Sequence, residues 1–399
     1  MATINPERLL ATFLDLVQID SPTGQEAELA AYCKQVLEEA GCTINLEALT
    51  EVPNGNSGNV VATLPAFSGV VQRDGVAVPQ QPRPSVPLYF SAHMDVVEPC
   101  RGIKPQIKDG VIYSDGTTVL GGDDKAGLAA IIEMIRCLVE AEAKGEAHPE
   151  IGILFTAQEE VGLQGAKALG KEAFRDAQGA LCYVLDAAGK PGLVVNGAPF
   201  HYSYRAEFKG VAAHAGIAPE KGVSAIKAAA QAVQALPQGR LDEESTTNVG
   251  FIKGGTAGNV VAAACLVTGE LRSQSKDKLL AHQARIEEIL KSSPVEDDTR
   301  AGAVEVTVEW KANYEGFFAP EDSPQVELAM RAARKLGLEA RTEISNGGAD
   351  TNVFSSFGLA AVSLGCGMDY VHSTEERLVI KDLENLARWA LAIVRESFG

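Results

Sequence analysis

Along the first half of the chain, short apolar runs alternate with helix-period segments, and nearly every apolar run ends in acidic residues or histidine. Asp20-Ser21-Pro22-Thr23 is a helix-start signal, and Glu26 to Glu39 then carries helical spacing. Asn59 to Leu64 predicts a short strand. Ala66 to Val86 is rich in Pro, Gly and Gln and predicts a surface hairpin or loop. Pro87–Ala92, Ile151–Thr156, Leu181–Leu185 and Ala360–Leu364 are apolar runs of buried-strand type, and Ala126–Glu140 is an apolar-faced helix. Buried strands separated by helices predict an α/β fold: a mostly parallel sheet with helices on both faces.

The middle of the chain has a different rhythm. His201 to Lys209 alternates like a half-buried strand, and Lys221 to Leu236 is an alanine-rich helix. Thr247–Lys253 and Asn259–Ser273 predict strands, Lys276–Lys291 a helix, and Ala303–Lys311 another alternating strand. The order β-α-β-β-α-β is the ferredoxin-like motif. The expected organisation is a large domain of residues 1–199 and 315–399, with a small α+β domain, 200–314, inserted into it. The helix over Ser323–Leu336 precedes the last sheet elements.

Composition narrows the possible functions. The 399 residues carry a formal net charge of −18, so there is no basic field to meet nucleic-acid phosphates. Seven cysteines are scattered with no CxxC pair, which argues against a disulfide framework or a zinc ribbon and for free thiols in a reducing cytoplasm. Met1 to Leu10 lacks the pattern of a secretory signal, and no stretch reaches the ~20 apolar residues of a membrane helix. The expected setting is the cytoplasm, without nucleic-acid or membrane partners.

The candidate chemistry lies at the strand ends. Pro87–Ala92 runs into His93-Met94-Asp95, Ile151–Thr156 into Gln158-Glu159-Glu160, and Leu181–Leu185 into Asp186. Ala360–Leu364 is followed by a glycine-rich turn and then His372, and Asp123-Asp124 stands just before a helix. In open α/β sheets, sites form beyond the carboxyl ends of the strands, so five separated segments can deliver carboxylates and imidazoles to one place. Divalent metals take these ligands, and two ions ~3.5–4 Å apart can share a carboxylate. His93 and Asp95 lie on one side of an extended segment, so one can bind metal while the other fixes geometry. Glu159 and Glu160 diverge, so one can be a ligand and the other a general base. Asp124 reads as a helix N-terminal residue favoured by the dipole.

At these residues the sequence resembles the M20 family of metallopeptidases and, within it, the peptidase T (tripeptide aminopeptidase) branch. The matching pieces are His93-Met94-Asp95, Leu120 to Gly127, Gln158 to Gly162, Asp186, the Gly210–Gly216 segment around His214, and Gly347-Gly348-Ala349-Asp350. They run in order over essentially the whole chain. The resemblance implies a zinc-exopeptidase-like fold with an inserted lid. It implies that His93 and Asp186 hold one metal, that Glu160 and His372 hold the other, and that Asp123 bridges them. Asp95 would orient His93, and Glu159 would be the general base. His214 would reach the substrate, often from a partner's lid. Asn259, in a glycine-rich turn, and Arg272, near a strand end, are further substrate candidates, the arginine through bidentate pairing with a carboxylate. Asp350 and Asn352 either support the last loop or touch substrate. His148, His201 and His282 have no motif around them and read as structural or surface residues.

Two departures fall on the substrate side: Ala187-Ala188-Gly189 stands where peptidase T enzymes more typically carry glycines, and Ala215 where they more often carry proline. The sequence therefore points to a two-metal hydrolase cutting an amide bond, with zinc as the implied metal; the ligand types also accept cobalt or manganese. An aminopeptidase on short peptides is the first reading. An N-acyl-amino-acid or carbamoyl amidohydrolase with the same centre is the second, and a noncatalytic metal-binding protein the third. A homodimer through the lid is expected from its alternating strands.

Overall fold

The computed structural model describes residues 3–45, 52–73, 76–79, 87–171, 174, 177, 179–292 and 303–398. By internal contacts the chain divides into a first unit of Met1–Gly197, Phe318–Ser345 and Ala349–Gly399, and a second of Ala198–Phe317 and Asn346–Gly348. The first unit begins with helices α1 (Pro6–Gln18) and α2 (Ala27–Glu39), followed by strands β1 (Val60–Leu64) and β2 (Leu88–His93). Helix α3 (Gly122–Glu142), β3 (Ile151–Thr156), β4 (Leu181–Ala187) and β5 (Leu193–Ala198) come next. The second unit contains β6 (Phe200–Lys209), α4 (Ala225–Ala235), β7 (Ser245–Gly254), β8 (Ala264–Ser273), α5 (Lys276–Ser292) and β9 (Glu305–Tyr314). The first unit then resumes with α6 (Pro324–Lys335), β10 (Arg341–Ile344), α7 (Asp350–Ser356), β11 (Ala360–Gly365) and α8 (Ile380–Ser397).

The main sheet runs β1-β3-β2-β4-β11-β5, with β10 also beside β5. Its centre, β3-β2-β4-β11, is parallel, while β1 and β5 pair antiparallel to their neighbours β3 and β11. Alternation along β2 shows both faces covered. Phe90 packs on Tyr183, whose hydroxyl donates to the Gln325 carbonyl oxygen of α6. Tyr89 points the other way to Phe174, which meets Phe354 of α7 edge-on. This is the mostly parallel, two-faced α/β architecture that the apolar runs predict.

The two longest helices outside the predicted elements are α1 and α8. Helix α1 is capped by the Asn5 side chain, which accepts from the Arg8 N–H, and has proline in its first turn. Helix α8 buries Leu383, Leu386, Trp389, Ile393 and Val394 on one stripe, and the Trp389 indole donates to Ala329 O at 2.9 Å. Over 66–86 the structure pairs Val70–Arg73 antiparallel with Val76–Pro79; residues 74–75 and 80–86 lie outside the described ones.

The second unit has the order β7-β8-β6-β9, all antiparallel, which is the ferredoxin-like arrangement. One face of this sheet, through Tyr204, Ala206, Phe208, Val267 and Leu271, packs with Ala228, Ala232, Leu279 and Ile286 of α4 and α5. Strand β8 begins at Ala264, not Asn259, because 259–263 is a loop. Helix α4 begins at Ala225, where Ser224 caps it by accepting from Lys227 N. No helix among the described residues is long and apolar enough to cross a membrane.

Helix α3 approaches the sheet so closely at Gly127 that an added Cβ would lie 2.4 Å from Leu185 O and 2.6 Å from an Asp124 carboxylate oxygen. Gly127→Ala is expected to destabilise the protein by about 1–3 kcal/mol through overpacking, measured by urea unfolding. An unchanged midpoint would show that α3 can shift freely.

Candidate metal centre

Sheet register sets the level of the first ligands. Parallel pairing puts His93 opposite Thr156 and Ser91 opposite Val184. His93 and Asp186, each two residues further along adjacent strands, therefore leave the sheet together. The Gln158–Glu160 segment starts two residues beyond Thr156. Asp123 arrives from the first turn of α3, and His372 from the segment between the paired strands Met368–Asp369 and Arg377–Val379.

Asp123 stands between the two imidazoles. Its Oδ1 is 3.1 Å from His93 Nε2, and its Oδ2 is 3.3 Å from His372 Nε2. Asp186 Oδ1 lies 3.7 Å from the same His93 nitrogen, and Glu160 Oε1 lies 2.9 Å from His372 Nε2. The ligand atoms of His93, Asp123 and Asp186 lie within 4.8 Å of one another, as do those of Asp123, Glu160 and His372. Donor atoms around a tetrahedral zinc ion, each about 2.0–2.1 Å from it, are about 3.3 Å apart. These donor sets fit two divalent ions, with Asp123 common to both. His93 Nδ1 is 2.9 Å from Asp95 O, which can only accept, so Nδ1 carries a proton and Nε2 is the nitrogen turned to the carboxylates, free to bind a metal once its own proton leaves.

Charge in the cluster is unbalanced. Burial opposes protonation of His93, yet its hydrogen bond to Asp123 and the charge of Asp186 raise its pKa well above the ordinary value. Asp123, then Glu160, push His372 up to about 10. Burial works against ionisation of Asp123, but His372 and His93 hold it below the usual carboxylate range. Asp186 is raised by burial and then by its acidic neighbours, and Glu159 by burial and then by Asp186. Such a cluster attracts positive charge, and a divalent ion competes with protons for it.

The ligand-bearing backbone is held from below by other carboxylates. Asp95 accepts from Glu159 N at 2.8 Å, Glu160 N at 3.2 Å and Thr23 Oγ1 at 2.9 Å. Orientation of His93 comes mainly from the Asp95 carbonyl oxygen, since the carboxylate is 3.6 Å from Nδ1. Asp124 is fully buried and accepts from both Gly127 N and His93 N at 3.2 Å. It thus caps the regular part of α3, since Asp123 and Asp124 themselves have non-helical backbone angles, and it also fixes a ligand. Asp350 accepts from Thr156 Oγ1 at 2.5 Å, and burial pushes its pKa up to about 6. Asn352 Oδ1 accepts from Ala349 N at 3.1 Å, which anchors the start of α7. Glu376, buried and absent from the candidates above, accepts three backbone N–H groups of the Leu120–Asp123 turn. Its sequence signal is only its place four residues after His372.

The second unit does not gather its three substrate candidates. His214 and Asn259 sit together, with Ala215 N donating to Asn259 O at 2.9 Å and His214 bridging to Val260. Both side chains are exposed. Arg272 is at the other end of β8, eight residues beyond Ala264 and so about 27 Å along the strand. There it meets Glu270 at 3.1 Å and the Tyr314 hydroxyl at 3.3 Å. His201 belongs to the same network, 3.0 Å from Glu270 and with its ring edge-on to Tyr314.

Comparison with known proteins agrees with this geometry. The sequence profile of Peptidase family M20/M25/M40 matches residues 89–396. The uncharacterized protein YqjE of Bacillus subtilis is 36% identical over 394 residues, covering 99% of each chain. The crystal structure of aminopeptidase PepT from Bacillus cereus superposes with a TM-score of 0.84 at 38% identity, covering 99% of this chain and 100% of that one. A tripeptidase from Staphylococcus aureus gives a TM-score of 0.85 at 35% identity, covering 100% of both chains. The chain belongs to the M20 family of peptidases and is peptidase T-like.

Proposed function

We propose that this chain is an aminopeptidase that hydrolyses the amide bond of short peptides, tripeptides in the first place, with two divalent metal ions. The observation that carries the reading is the Asp123 carboxylate, which turns one oxygen to each of two imidazoles. His93 and Asp186 would hold one ion, Glu160 and His372 the other, and Asp123 both. The imidazole–carboxylate donors suit zinc, and cobalt or manganese also fit. When bound, the ions supply Lewis-acid polarisation of the scissile carbonyl and a more acidic water.

Glu159 is the proton carrier. Its N–H is tied to Asp95, so the peptide unit is fixed while the carboxylate remains for chemistry. It takes a proton from the attacking water and returns it to the leaving nitrogen. His214 donates to the substrate oxyanion, Asn259 beside it binds the peptide, and Arg272 pairs with the substrate carboxylate. The separation of Arg272 from His214 and Asn259 in one chain supports a homodimer in which a second copy's lid completes the site. The outer stretch of β7 supports the same reading: Phe251 and Ile252 are 47% and 49% exposed there. The unpaired, buried thiols support a reducing cytoplasmic setting.

The direct test is hydrolysis of matched di-, tri- and N-acetylated peptides by metal-loaded protein, with a chelated control. Chelator-sensitive cleavage of free-amine tripeptides is expected; cleavage of blocked substrates alone would reassign the enzyme as an acylase. Glu159→Gln is expected to keep both metals by elemental analysis and to lose on the order of 10³-fold or more in kcat, and near-normal turnover would remove Glu159 as the base. His214→Ala is expected to lower kcat about 10²–10³-fold with metal content unchanged. Mixing it with Glu159→Gln chains should restore about a quarter of wild-type activity if the site is shared within a dimer. No recovery on mixing, once exchange of subunits is verified, would place His214 in its own chain's site.

A further inference from the structure

We infer that Glu376 is a positioning residue of the metal centre: it locks the turn that carries Asp123 to the hairpin that carries His372. The inference rests on the two-metal reading above. Glu376 is 2% exposed. One carboxylate oxygen accepts from Leu120 N and Gly121 N, both at 2.8 Å, and the other from Asp123 N at 2.9 Å. These N–H groups lie at the start of α3, where the helix itself supplies no acceptors. An ionised carboxylate suits three donors, and charge-assisted bonds of this kind are the strong ones.

Both ends of the lock are rigid. On one side, Glu376 N donates to Ser373 O at 3.1 Å, and the next three residues, Arg377–Val379, form a strand paired with Val111–Tyr113. Leu378 in that strand is fully buried. On the other side, the turn fits around the carboxylate: a Cβ at Gly122 would lie 3.1 Å from Glu376 Oε1, and Gly121 has a φ of 72°. His372, four residues upstream with a φ of 61°, is the exposed member of the ligand set. Its side chain, about half exposed, is held by Asp123 and Glu160 alone among the ion pairs described. Glu376 is thus the feature that sets the spacing between the shared carboxylate and the second imidazole.

The test is a stepwise cobalt(II) titration of metal-free wild-type and Glu376→Gln protein, followed by calorimetry and by visible absorption. The amide turns one acceptor into an N–H₂ group facing N–H donors. Wild type is expected to take up two ions. Glu376→Gln, with an unchanged circular-dichroism spectrum, is expected to bind the weaker ion about 10–100-fold less tightly and to show altered cobalt bands. If Glu376→Gln does not fold, Glu376→Asp, whose carboxylate retreats by one methylene, undergoes the same titration with the same expectation. Wild-type affinities and bands in the folded variant overturn the inference even if its melting temperature falls. Failure of the wild-type protein to bind two ions overturns the two-metal reading, and this inference with it.

Discussion

One carboxylate must face two imidazoles at once, and much of the first unit's local structure serves that demand. Asp123 can do so only if His93, on a strand, and His372, on a hairpin more than 200 residues away in sequence, reach fixed points on either side of it. Ionised groups in a buried space are costly unless paired or hydrogen-bonded. The solution here is consistent. Glu26, Asp95, Asp124 and Glu376 are all buried, and each accepts backbone N–H groups from a segment that bears candidate ligands or the base. Peptide dipoles meet each of these carboxyl groups, and burial still pushes Glu26, Asp124 and Glu376 above the usual carboxylate range. That leaves Asp123, Asp186 and Glu160 as the carboxylates that face the two imidazoles.

How much of this was legible follows from what each feature depends on. The strand-end residues His93, Glu159, Glu160 and Asp186 could be read because a buried parallel strand has a strong local signature, and its carboxyl end is where sites form. Asp124 could be read as a helix N-terminal residue, while Asp123 was legible only through the family resemblance, since an acid at that place also suits the helix start. Their different backbone angles send one toward the imidazoles and the other beneath the helix. Glu376 and the clamping role of Asp95 were illegible because their partners are main-chain N–H groups, which every sequence contains. The charged segment of α8 hid a helix whose apolar stripe becomes clear only against α3 and α6. In the second unit, residue type suggested three substrate contacts, but strand length, which no motif encodes, put Arg272 at the far end from His214 and Asn259.

The backbone clamps also explain one of the site's two left-handed residues, Gln158. Gln158 and His372 have φ values of 54° and 61°, a region that non-glycine residues seldom occupy. At Gln158 the turn makes consecutive N–H groups converge: Gln158 N points to Glu26, and Glu159 N and Glu160 N point to the two oxygens of Asp95. With the two amides fixed side by side on one carboxylate, the side chains of Glu159 and Glu160 leave in different directions. One reaches His372, and the other is left for the proton transfer proposed above. The strained residue is therefore the means by which two adjacent glutamates come to face different partners. Backbone strain of this kind persists where surrounding bonds over-determine it, and here those bonds come from the buried carboxylates of Glu26 and Asp95.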